Sequence, residues 1–233
     1  MDQWSKIIIL FLTIFTIVLW SGCRERNGST QSDLIGKDAN WSKGGEFEEK
    51  VSTYEDEDRH IWQKPDRVIK LLGNIEDKTV VDLGAGTGYF ALKLLNKAKK
   101  VIALDIDPEF IDFLERKKAL LTPSQQERFE VRMAKSNDPM LKDGEADAIL
   151  LVNTYVYIPN RVQYFRNLRS KLSPGAKIVI IEFKMKDIPN GPPPAEKISL
   201  YDVERELKEA GYANILTDDT ALDYQYIVTA SIN

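Results

Sequence analysis

Thr79-Val80-Val81-Asp82-Leu83-Gly84-Ala85-Gly86-Thr87-Gly88-Tyr89-Phe90, followed by Val101-Ile102-Ala103-Leu104-Asp105-Ile106-Asp107, is the stretch whose reading decides the fold. The β-branched run Thr79 to Val81 reads as a buried strand that breaks at Asp82 into a turn with three glycines, Gly84, Gly86 and Gly88. Backbone without Cβ lets a ligand come close there. Apolar residues at Phe90, Leu92, Leu94 and Leu95 predict a helix over 89–97, starting as the glycines end. A second short strand, 100–104, stops at Asp105. Glycine turn, helix N-terminus and a carboxylate at the next strand end form the layout of a nucleotide site, in which the carboxylate accepts hydrogen bonds from ribose hydroxyls.

Outward from this unit, the same alternation continues. Pro65 opens a helix carrying Val68, Ile69, Leu71 and Leu72, which Gly73 stops. Helices are predicted over 108–121, 162–172 and 199–210, and strands over 129–133, 148–152 and 177–183. Asp107 before Pro108 reads as a helix N-cap, and Ser173-Pro174-Gly175 as a turn feeding the fifth strand. Strands alternating with helices at this spacing imply right-handed crossovers and a parallel sheet covered on both faces. The last two apolar runs, 212–216 and 226–230, are too close together for a crossover helix and should pair as an antiparallel hairpin.

Composition excludes several classes. With 32 Lys and Arg against 36 Asp and Glu, the formal charge of −4 offers no clustered basic excess for nucleic acid. One cysteine, Cys23, and one histidine, His60, leave neither a disulfide framework nor a multi-histidine metal site within one chain, so no metal is expected. A hydrophobic content of 43% is enough for a real core. Nothing in the sequence sets the oligomeric state.

Residues 1–23 stand apart: an apolar run from Ile7 to Trp20 precedes Ser21-Gly22-Cys23. The run is short for a bilayer span and suits a signal-peptide core. The small residues before Cys23 resemble a bacterial lipoprotein signal, with Cys23 as the lipidation site, although Trp20 stands where leucine is usual. An uncleaved membrane anchor is the other reading. Both make the chain membrane-associated. Arg24, Arg26, Lys37 and Lys43 after the run would keep an anchored domain cytoplasmic, whereas a lipoprotein would lie outside, so the side of the membrane stays open. Residues 24–53, rich in small and polar types, read as a flexible linker, with the folded domain at 54–233.

Glycine spacing separates two families. The dinucleotide fingerprint wants its third glycine three positions after the second, where this chain has Tyr89. The tighter Gly84-Ala85-Gly86-Thr87-Gly88, with Asp82 before it and Asp105 after it, resembles motif one of the seven-stranded, class I S-adenosylmethionine-dependent methyltransferases. The closest likeness is to the type 11 branch that includes the ubiquinone and menaquinone enzymes. The resemblance implies a three-layer Rossmann-like α/β sandwich whose mostly parallel seven-stranded sheet ends in an antiparallel hairpin. It implies S-adenosylmethionine as cofactor, with Asp82 among the cofactor-binding residues, Gly84, Gly86 and Gly88 at the methionine portion, Asp105 on the ribose and Ile106 on the adenine. Asn153, past the fourth strand, would close the site near the sulfonium, and Ser136, Asn137 or Asp138 would meet the adenine amino group. Substrate-side candidates are His60 and Trp62, which with Arg59 precede the first helix and could fold over the pocket, and Tyr155 and Tyr157 after the fourth strand; Glu182 and Lys184 read as surface charges or a salt bridge. The implied function is methyl transfer to a small, lipophilic acceptor. The alternative is a membrane-anchored, non-catalytic protein that binds the cofactor or a partner.

Overall fold

A computed structural model describes residues 45–55, 58–188 and 191–232. The opening run forms β1 (Thr79–Leu83), and the apolar positions after the glycines form α4 (Tyr89–Leu95), which buries Phe90, Ala91, Leu94 and Leu95. Ahead of them, among the described residues, stand three short helices, α1 (Gly45–Tyr54), α2 (Arg59–Gln63) and α3 (Pro65–Lys70). Then come β2 (Lys100–Asp105), α5 (Pro108–Ala119), α6 (Pro123–Arg128), β3 (Phe129–Met133), β4 (Ala146–Val152), α7 (Arg161–Leu168), β5 (Leu172–Phe183), α8 (Leu200–Ala210), β6 (Ala213–Asp218) and β7 (Gln225–Ser231).

The seven strands form one sheet in the order β3-β2-β1-β4-β5-β7-β6. All neighbours from β3 to β5 are parallel, while β7 runs antiparallel to both β5 and β6. This is the Rossmann-like sandwich with a reversed terminal pair that the sequence predicts. Alternate side chains feed two cores. Val80, Val101, Leu150 and Val179 pack with Val68, Phe90 and Leu94 on one face, and Val81, Ile149 and Ile180 pack with Phe165 and Leu207 on the other. Central strands buried on both faces explain the unbroken apolar runs in the sequence.

Three local differences have physical causes. Ser173-Pro174-Gly175 does not turn: β5 runs through it, and a register shift opposite Ala146 and Ala148 absorbs the irregularity. The second is α6, which lacks buried residues and so has no apolar stripe to show in the sequence, yet it is closed by a capping box between Thr122 and Gln125. Lastly, the end of the stretch expected to be linker is α1, anchored because Phe47 is buried with its ring centroid 5.2 Å from Phe110 and 6.1 Å from Phe113. Cys23 and the apolar run before it lie outside the described residues. Among the described residues, no helix is long and apolar enough to cross a membrane.

Candidate active site

A cleft of about 1330 Å³ opens at the carboxyl ends of β1, β2, β4 and β5. Ligands bind at this edge of open α/β sheets. A single small-molecule site occupies roughly 300–1,000 Å³, so this cleft has room for two reactants. A smaller hollow of about 440 Å³ lies by α7, where the Arg161–Glu206 ion pair occupies its charged groups.

The glycine turn forms one wall. Gly84 and Ala85 both donate backbone N–H to Leu104 O at 2.8 Å, which ties the turn to the end of β2. Asp105 completes the tie: Gly86 N donates to its Oδ2 at 2.8 Å and Asp107 N to its Oδ1 at 3.0 Å. Burial pushes the Asp105 carboxyl up, and these N–H groups hold it down. Each carboxylate oxygen accepts more than one hydrogen bond, so the group can hold the turn and a ligand hydroxyl together. Gly84 has φ +81°, and a Cβ there would meet Thr154 Oγ1 at 2.2 Å. Thr87, beside it on the cleft wall, is buried with Oγ1 lacking a hydrogen-bond partner among the described residues. An orphaned buried hydroxyl beside a backbone cradle is what a polar ligand would satisfy.

The predicted residues divide. Gly84, Gly86, Asp105, Ile106 and Asn153 line the cleft, with Ile106 exposed to it. Of the adenine-side candidates, Ser136 lines it, while Asp138 turns back to accept from Met140 N at 2.7 Å. Asp82 and Gly88 are not among the described lining residues. Gly88 is the N-cap position of α4, packed against Leu114. Asp82 lies beneath the turn, 3% exposed, and burial pushes it up to about 7 against the pull of the Ala91 N–H and the Arg59 charge. Asp107 is the N-cap of α5, accepting from Glu109 N at 2.9 Å.

On the other side, Trp62 and Tyr157 line the cleft and two candidates do not. Tyr155 is fully buried, its ring centroid 4.8 Å from Phe165 and its hydroxyl donating to Glu206 at 2.9 Å, because the single 3₁₀ turn at Tyr155–Tyr157 sends alternate rings in opposite directions. It is a core residue. His60 is exposed on α2, outside the described lining. Glu182, expected at the surface, is 2% exposed and lines the cleft. Its Oε1 accepts from Tyr155 N at 2.6 Å, and burial pushes it up to about 7 against the N–H groups of Thr154, Tyr155 and Val156. A charge ending a strand looks solvated in sequence; the 3₁₀ turn that covers it gives no local sign.

The segment before α3 folds over the cleft and makes the remaining wall, through partners that no sequence pattern shows. Tyr54 stacks on Phe110 at 5.6 Å, the Arg59 guanidinium lies 4.3 Å from the Tyr89 ring centroid, and Trp62 packs 6.1 Å from Phe183 and 6.2 Å from Tyr224. Such offset aromatic contacts fix the wall at both ends of the cleft.

Known proteins share this fold. Residues 81–180 match a family model described as a methyltransferase domain. No curated protein matches. Among solved structures, an S-adenosylmethionine-dependent methyltransferase from Aquifex aeolicus is 26% identical over 79% of this chain and 98% of its own, with a TM-score of 0.71. An S-adenosylmethionine-dependent methyltransferase from Mesorhizobium loti is 17% identical over 71% and 95%, TM-score 0.57. A phosphoethanolamine N-methyltransferase from Haemonchus contortus, bound to phosphomonomethylethanolamine and S-adenosylhomocysteine, is 11% identical over 73% and 52%, TM-score 0.60. The last two likenesses are of fold. Together these findings establish a Rossmann-like methyltransferase fold, with the methyltransferase-domain match running from β1 into β5.

Proposed function

We propose that the chain is an S-adenosylmethionine-dependent methyltransferase acting on a small acceptor with an apolar, ring-sized body, held at a membrane through the segment ending at Cys23. The observation that carries this reading is the clamp at the turn: Asp105 holds Gly86 N at 2.8 Å beside the Thr87 hydroxyl, which has no hydrogen-bond partner among the described residues, on the cleft wall. The methyl donor is S-adenosylmethionine, and when bound it supplies a methyl group on a cationic sulfur. The task left to the chain is to seat the acceptor in line and exclude water. The backbone at Gly84 to Gly86 suits the amino-acid portion of the donor, Asp105 its ribose hydroxyls, and Ile106 its adenine face. Trp62, Phe183 and Tyr224 give the acceptor end an aromatic lining, and the anchor-like N-terminus favours a lipid-phase acceptor. Glu182 is the buried carboxyl at that end, and titrating about 7 it is suited to take a proton that the acceptor sheds.

The test uses the full chain in detergent micelles. Calorimetric titration should show binding of S-adenosylmethionine and none of NAD, and label from a methyl-tritiated donor should enter a lipid extract. Donor binding without any labelled product would assign a non-catalytic binding protein instead. Absence of donor binding would remove the whole reading. Asp105→Ala should weaken donor binding by about 1–3 kcal/mol, the scale for hydrogen bonds to a charged group; unchanged affinity would mean that the ribose is held elsewhere.

A further inference from the structure

A buried chain of side-chain amides runs behind the cleft. Arg59 Nε donates to Gln63 Oε1 at 2.6 Å, Gln63 Nε2 donates to Gln225 Oε1 at 3.0 Å, and Gln225 Nε2 donates to Asn153 Oδ1 at 2.6 Å. Gln63 and Gln225 are 0% exposed, and Asn153, at φ +56° past β4, lines the cleft. Each amide can in principle turn over and exchange its donor for its acceptor. Arg59 cannot, because a guanidinium only donates. The guanidinium is itself held in place, donating through Nη1 to Tyr54 O at 2.6 Å and lying over the Tyr89 ring. The direction of every bond downstream follows from that one fixed end. Gln63 must turn its carbonyl to Arg59, which leaves its N–H₂ for Gln225, and Gln225 then has only its N–H₂ for Asn153. With its carbonyl engaged, Asn153 has its N–H₂ left to face the cleft.

We propose that Arg59, acting through Gln63 and Gln225, fixes Asn153 as a hydrogen-bond donor to the carboxylate of the methyl donor's amino-acid portion. This rests on the methyltransferase reading, which puts that portion at the Gly84 turn. Asn153 precedes Thr154, the residue against which Gly84 packs, so it adjoins that turn. Of the two charged groups on an amino-acid portion, only the carboxylate accepts a hydrogen bond. Arg59, Gln63 and Gln225 are positioning residues, and because Arg59 belongs to α2, the seating of the N-terminal wall is read out at the donor site.

The near-isosteric variant Gln63→Glu tests the polarity. The ionised carboxylate it introduces accepts from both neighbours, so Gln225 must turn its N–H₂ toward it and its carbonyl toward Asn153. Asn153 then turns in its place and puts its carbonyl into the cleft, against the carboxylate of the ligand. Gln225→Glu has the same consequence at Asn153 and serves as the second variant. Binding to the full chain in micelles is measured by calorimetry with two probes: S-adenosylhomocysteine, which has the carboxylate, and 5′-methylthioadenosine, which lacks the amino-acid portion. Both variants should bind S-adenosylhomocysteine about ten- to a hundredfold more weakly than wild type, with 5′-methylthioadenosine within about twofold. Arg59→Lys, which keeps an obligate donor, should retain most of the affinity that Arg59→Gln loses. If both variants bind S-adenosylhomocysteine as wild type does, or lose the two probes equally, the relay has no directing role. Failure of wild type to bind either probe would count against the methyltransferase reading rather than the relay.

Discussion

Gly84→Ala separates backbone strain from steric contact in the turn that organises the site. Gly84 and Gly73 have nearly the same backbone, φ +81° and +80°. A Cβ at Gly73 would meet nothing within 4 Å, whereas at Gly84 it would sit 2.2 Å from Thr154 Oγ1, 2.4 Å from Cγ2 and 2.8 Å from Cβ. Gly73→Ala should therefore cost only the left-handed strain of an L residue, about 1–2 kcal/mol. Gly84→Ala adds an overpacking cost of about 1–3 kcal/mol, because Thr154 is tied back by its hydroxyl to Val152 O at 3.1 Å and cannot simply rotate away. The expected total is about 2–5 kcal/mol. Urea unfolding reads both variants, provided the dependence on denaturant keeps its slope. Adding Thr154→Gly to Gly84→Ala should recover the steric part and leave the strain, giving a favourable coupling of about 1–3 kcal/mol in the double-mutant cycle. If Gly84→Ala and Gly73→Ala fall within about 0.5 kcal/mol of one another, a difference no larger than the additivity error of such measurements, the strand-end approach is not what requires glycine at the turn, and the reasoning fails.

Two further outcomes follow from buried charge. Asp82 titrates about 7 in the fold, above the ordinary carboxyl value near 4, so the native state holds a proton there that the unfolded chain has released. Its contribution is complete below about pH 4 and is lost as pH rises through about 7. Asp82→Asn should therefore gain stability relative to wild type across that window, and parallel urea midpoints over the range would refute the assignment. Glu206 accepts from Tyr155 Oη at 2.9 Å and from Arg161 Nε and Nη2 at 2.7 and 3.0 Å, so Glu206→Gln should destabilise by about 1–3 kcal/mol, discounted because Arg161 is partly solvated. Calorimetry should find S-adenosylhomocysteine affinity unchanged in that variant; a loss would return Tyr155 to the site.

What the sequence made legible is what depends on local chemistry. The run from Thr79 to Phe90 shows a strand, a turn that needs glycine and a helix within one window, and Asp105 closes the unit because it stops the next strand. The reversed pair at the C-terminus was legible from the short spacing alone. Long-range contacts left no such trace. The sparse apolar content of 45–54 hid a helix that Phe47 anchors, and Tyr155 looked like its neighbour Tyr157 until the 3₁₀ turn separated their directions. Gln63 and Gln225, 162 positions apart, are uncharged and carry no motif, yet each satisfies the other in a core that would penalise either alone.

The same distinction says where specificity in this fold is set. The glycine turn and Asp105 come from adjacent strands, β1 and β2, and on the proposed function they face the methyl donor. The walls that face a second reactant come from three separated places: α2 with Trp62, the end of β5 with Glu182 and Phe183, and the approach to β7 with Tyr224. None of these lies within the turn itself. Two of them, α2 and the approach to β7, are joined by the amide chain from Arg59 to Asn153, whose members come from α2, β7 and the end of β4. A substitution that reshapes the acceptor end by moving α2 must therefore also disturb the donor side of Asn153. Binding of the methyl donor should then respond to changes in a wall it does not touch, and that coupling is what distinguishes a site built from one turn from a site closed by the whole sheet edge.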